Sequence, residues 1–96
     1  MEHLKRLRTY YFSILINKFN YSIRDISKAV KIPKSTVHQN LYRYLSHNQM
    51  LVTQKHLQEH TTNNKPIKMC DEIKQLLYAI ERTTLNINNK ERSKNQ

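Results

Sequence analysis

The sequence predicts a mainly α-helical fold that carries one small β-hairpin. Three observations lead there. Apolar residues recur at steps of three and four in four separate segments, that period gives way to a strand-like run after Met50, and 96 residues allow one small core.

The first helix is predicted over roughly Glu2 to Phe19, from the spacing of Leu4, Leu7, Tyr11, Ile14 and Leu15. NKFNY, Asn17 to Tyr21, breaks it. Ser22 then caps a second helix, with Asp25 three residues on completing a capping box at the positive helix end, and Ile23, Ile26 and Val30 form its buried stripe. Lys31 and Ile32 make a tight turn. Pro33 suits the first turn of a third helix, from about Lys34 to Ser46, whose inward residues are Ile32, Val37, Leu41 and Leu45. HNQ ends it. Met50 to about His56 reads as a strand, TTNNK (Thr61 to Lys65) as a turn and Pro66 to Met69 as the returning strand. The helical period resumes at Asp71 with Ile73, Leu76, Leu77 and Ile80, and should stop near Thr84. The expected organisation is therefore one domain, residues 1–84, followed by a basic flexible tail, residues 85–96.

Seventeen Lys and Arg oppose seven Asp and Glu, a formal charge of +10 that favours a polyanionic partner. LKRLRTYYFSILINK imitates an export signal, but its apolar run is short and no small-residue cleavage site follows. No membrane span is expected. The single Cys70 cannot close an intramolecular disulfide, which fits a reducing, cytoplasmic setting. The absence of Gly and Trp beside abundant Asn, Lys, Ile and Tyr is what AT-rich coding produces, as in a low-GC bacterium, its phage or its plasmid.

Two short helices joined by a tight turn, the second polar on its outer face, make a helix-turn-helix. SIRDISKAVKIPKSTVHQNL, Ser22 to Leu41, resembles that motif in bacterial transcription regulators, with apolar residues at Ile26, Val30, Ile32 and Val37 where the family keeps them. PKSTVHQNL looks like the recognition-helix start of IclR-type winged regulators. The order that follows, LYRYLSHNQMLVTQ and then NNKPIKM, is similar to a winged helix, so the resemblance implies that the hairpin is a wing. This chain departs from the family with Ser27 where Ala is usual and Lys31 where Gly is usual. The first three helices and KPIKMCDEIKQLL also look like the stage III D sporulation regulators, a reading in which Ser46 to Asn64 is an inserted loop.

In a helix-turn-helix the second helix offers its N-terminal residues to base edges in the major groove. Ser35, Thr36, His38 and Gln39 are the candidates for base contact: Gln39 can pair bidentately with adenine, and the Thr36 methyl can meet thymine. Lys34, Tyr42 and Arg43 flank them as candidates for the phosphate backbone, joined on the wing by Lys55, Lys65 and Lys68. Tyr44 lies nearer the buried stripe. Lys5, Arg6 and Arg8 either extend the basic footprint or form a solvated face.

HLQEH, His56 to His60, matches a metalloprotease motif letter for letter, but the sequence after it is too short for a third ligand and a cleft. His56, His60, Cys70 and His47 lack a paired-Cys spacing, so no metal or cofactor is assigned. No nucleophile–base pair, Gly-rich phosphate loop or carboxylate cluster points to an enzyme or to a small-molecule substrate. The function expected is sequence-specific binding of double-stranded DNA by a transcription regulator. The alternative is a protein-interaction module on the same scaffold, which would need exposed aliphatic anchors on the third helix. The final helix packs on the first helix of its own chain or pairs two chains into a homodimer.

Overall fold

The computed structural model describes residues 2–60 and 68–94, with side chains described through residue 59 and from 68 to 91. The described residues form five helices and no strand: α1 (Glu2–Phe19), α2 (Ile23–Val30), α3 (Lys34–Tyr44), α4 (His47–His60) and α5 (Asp71–Lys94). No described helix is long and apolar enough to cross a membrane.

α1 is the hub, packing against each of the other four helices. Its Phe12, Leu15 and Ile16 are wholly buried and meet Ile26 of α2, Val37 and Leu41 of α3, Met50 of α4, and Ile73 and Ile80 of α5 in one core. The buried face of α1 also includes Arg8 and Thr9, whereas Leu7, expected inside, is 41% exposed. Tyr10 to Ile16 is apolar almost all round, so periodicity alone did not fix which side turns inward.

Two left-handed residues shape the chain reversals. Asn20 (φ 62°) ends α1, and the Tyr21 amide then donates to the Leu15 carbonyl at 3.0 Å. Lys31 (φ 56°) ends α2 at the position where the family resemblance expects Gly, at a cost of about 1 kcal/mol for a residue with a Cβ. The capping box predicted for α2 is formed in both directions: the Asp25 amide donates to Ser22 Oγ at 3.1 Å, and the Ser22 amide to Asp25 Oδ2 at 3.0 Å. A turn of Lys31, Ile32 and Pro33 leads into α3, whose first amides, those of Thr36 and Val37, donate to the Pro33 carbonyl.

No hairpin wing is formed among the described residues. Met50 to His56, read as its first strand, lie in α4, and α3 stops at Tyr44 so that Ser46 caps the next helix. The Gln49 amide donates to Ser46 Oγ at 3.3 Å and the Ser46 amide to Gln49 Oε1 at 2.9 Å, a second capping box. Met50, Thr53 and Leu57 face inward at helical spacing, while Leu51 and Val52, which suggested a strand, are each about half exposed. α4 is held to α1 by a hydrogen bond of 3.3 Å from Asn17 Nδ2 to Thr53 Oγ1. A helix here also replaces the loop of the sporulation-type reading. The predicted turn and the first half of the second strand, residues 61–67, lie outside the described residues, and Lys68 to Cys70 lead into α5 without regular structure.

α5 does not stop near Thr84. It continues to Lys94, because Ile87 repeats the seven-residue spacing of Ile73 and Ile80 and is 2% exposed. The expected tail from residue 85 is thus largely helical. Leu76 and Leu77 also turn toward the core, which leaves Tyr78 and Leu85 as the large apolar side chains exposed on α5.

Candidate nucleic-acid interface

α3 buries Val37, Asn40 and Leu41 and exposes Lys34, Ser35, His38, Gln39, Tyr42 and Arg43, with Thr36 half-buried at one edge. Ser35, Gln39 and Tyr42 run down the centre of the outer face, one helical step apart. α2 and the turn add the exposed cations Arg24, Lys28 and Lys31.

The two flanks of this face differ. Toward α4, the His38 ring lies 4.4 Å from that of Tyr42, tilted by 41°, and the Tyr42 hydroxyl accepts a 2.7 Å hydrogen bond from Gln54 Nε2. That bond uses an acceptor site of the phenol, so its own O–H remains a donor that a phosphate oxygen can take. Toward α1, the guanidinium groups of Arg6 and Arg43 lie 5.6 and 5.7 Å from the centre of the Tyr44 ring. Tyr44 therefore anchors two arginines at one end of this face.

Between α1, α3, α5 and the α2–α3 turn lies a cleft of about 370 Å³. Four cationic side chains, Lys5, Arg8, Lys31 and Arg43, and one carboxylate, Glu91, line it. Lys5 and Glu91 pair at 3.3 Å near the surface. Arg8 is 5% exposed: its Nη2 donates to Asn40 Oδ1 at 3.0 Å and its Nη1 to Thr84 Oγ1 at 3.3 Å. Its buried Nε has no partner among the described residues. The Thr84 hydroxyl in turn donates to the Ile80 carbonyl at 2.7 Å. Burial pushes the Arg8 guanidinium below its ordinary pKa, opposed by the Glu91 carboxylate and by Tyr44.

No protein-family model, curated protein or solved structure matches this chain.

Ser35, Thr36, His38 and Gln39, named from sequence for base contact, share the surface of α3 with Lys34, Tyr42 and Arg43. Lys55 and Lys68 are exposed, but on α4 and in the segment before α5, with no hairpin to carry them; Lys65 lies outside the described residues. Asn40, Gln54 and Thr84 were missed. Asn40 had a readable signal, since it falls on the Val37–Leu41 side of α3, where an amide needs a buried partner. Among the described residues no three His, Cys, Asp or Glu side chains gather as a metal site.

Proposed function

We propose that the chain is a sequence-specific double-stranded DNA-binding protein, a cytoplasmic transcription regulator that lays α3 in the major groove. The observation that carries this reading is the outer face of α3: after a three-residue turn from α2, it exposes Lys34, Ser35, His38, Gln39 and Arg43 together. Donors, acceptors and cations on one helix suit base edges between phosphates. A protein-docking helix would instead expose aliphatic anchors, and the aliphatic side chains of α3, Val37 and Leu41, are fully buried.

Ser35, Thr36, His38 and Gln39 would read bases in this mode, while Lys34, Tyr42 and Arg43 would hold phosphates. Arg6, Arg24 and Lys28 extend the basic surface around them. A two-fold arrangement would set two α3 helices about one DNA turn apart. On this fold, α5 offers Tyr78 and Leu85 to such a contact, since Ile73, Leu76, Leu77 and Ile80 face the core.

The test is selection of bound sequences from random duplex DNA, followed by titration of the best site against salt. With about six phosphates neutralised, the binding constant should fall with a log–log slope of about −5 to −6. Failure to bind any duplex at low salt overturns the reading.

A further inference from the structure

Arg8 is a buried cation with no ion pair of its own among the described residues. A buried charge costs several kcal/mol unless it is paired, and an apolar side chain of similar size would fill its place on α1 at lower cost. Here the guanidinium meets two neutral acceptors, Asn40 and Thr84, and no carboxylate within ion-pair distance among the described residues. Lys5, Lys31 and Arg43 stand around the same cleft, and Glu91 is already engaged with Lys5. The cleft therefore carries a net positive charge, and its most buried cation, Arg8, has no ion pair of its own, only the more distant Glu91 carboxylate and the face of the Phe12 ring 5.8 Å away.

Three N–H groups of Arg8 have no acceptor among the described residues: Nε–H and one on each terminal nitrogen. Nε is itself closed off from solvent, so it is the second N–H on each terminal nitrogen of this cleft-lining guanidinium that suits a carboxylate or a phosphate. The volume of about 370 Å³ falls in the range of small-molecule sites and exceeds what a single phosphate group fills.

We propose that the cleft binds a small organic molecule bearing a carboxylate or phosphate group, seated on Arg8, and that its occupancy weakens DNA binding. The second half of this proposal rests on the DNA-binding reading; the first half does not. The link between the two is α3 itself. Thr36, Gln39 and Arg43 border the cleft and also belong to the outer face, so an anion there engages Arg43 and sets negative charge within a Debye length of the DNA backbone.

The experiment titrates the full chain with inorganic pyrophosphate, and separately with citrate, following the Arg8 Nε–H and the Asn40 side-chain amide by NMR at constant ionic strength. Saturable shifts centred on Arg8, Asn40 and Thr84, with a Kd of about 1 mM or tighter, are expected for at least one probe. Asn40→Asp supplies an internal carboxylate where Arg8 now meets an amide oxygen, and should weaken the probe at least tenfold in a chain that circular dichroism shows to be folded. If that variant does not fold, Arg43→Gln at the exposed rim gives the second reading, with a loss of several-fold. In a binding assay with the selected duplex, the probe should lower affinity beyond an equal ionic strength of chloride. Shifts spread over all surface lysines, no saturation, or an unchanged affinity in the variant that folds overturns the site. Shifts at Arg8 caused by duplex DNA but by neither probe would assign the pocket to a backbone phosphate and also overturn it. Saturable probe binding without any duplex binding would leave the anion site standing and remove the DNA reading.

Discussion

Arg8 of α1 and Asn40 of α3 meet at 3.0 Å, the guanidinium Nη2 donating to the amide oxygen, with both side chains buried. This bond ties α3 to the hub helix α1 through polar atoms at the wall of a cationic cleft. Replacing Asn40 by Leu removes the acceptor and leaves the cation less satisfied. The expected loss is about 1.5 to 3 kcal/mol, the range for a hydrogen bond to a charged group. Urea unfolding measures it, and a change below about 0.5 kcal/mol, the level of a neutral surface substitution, would show that Arg8 repairs its own environment.

α4 begins at the Ser46–Gln49 capping box. Ser46→Ala should cost about 1 kcal/mol, with the loss appearing as reduced helicity. A hairpin in this segment would gain nothing from the serine hydroxyl, so an unchanged urea midpoint together with unchanged helicity would argue against α4.

Burial pushes the Tyr21 hydroxyl above its ordinary pKa of 10.0, with the Asp25 and Cys70 charges acting in the same direction. The neutral phenol is the form the fold favours. Its contribution is fully present below the unfolded value and is lost as pH rises through the higher folded one. Tyr21→Phe should therefore resist alkali better than the native chain between about pH 9 and pH 11. Urea midpoints at both ends of that window supply the comparison; parallel curves would mean that Tyr21 does not ionise in the unfolding range.

In the proposed DNA-binding mode, Gln39 reads a base and Arg43 holds a phosphate. Gln39→Ala should cost about 1 to 3 kcal/mol on the selected site and little on random duplex, whereas Arg43→Gln should weaken both alike. Measured on the two DNAs, identical losses for the two variants would remove Gln39 from base readout. A site-specific loss for Arg43 would move it among the base readers.

What the sequence disclosed was local. The α2 capping box, the Lys31 turn and the stripe of Val37 and Leu41 are decided within a few residues, and the structure bears them out. α4 was also written locally, in S-x-x-Q followed by Met50, Thr53 and Leu57, but Leu51-Val52-Thr53 carries a strand preference and pointed the other way. Packing on α1 settles that competition. The extension of α5 was legible in Ile87, had the seven-residue interval been followed past Thr84. The role of Arg8 was not legible, because its partners lie on α3 and α5 and a cation in a basic stretch reads as surface.

The hub position of α1 also governs when the protein can become itself. Arg8 and Thr84 are 76 positions apart in sequence, and Phe12, Leu15 and Ile16 share a core with Ile73 and Ile80. α1, synthesised before α5, thus waits for that later helix before its apolar face is covered. Closing so long a span costs entropy before the core repays it, which slows folding relative to a bundle built from neighbouring helices alone. A nascent chain truncated before α5 would carry α2, the Lys31 turn and α3 in full and yet lack the partner that completes the core beneath them.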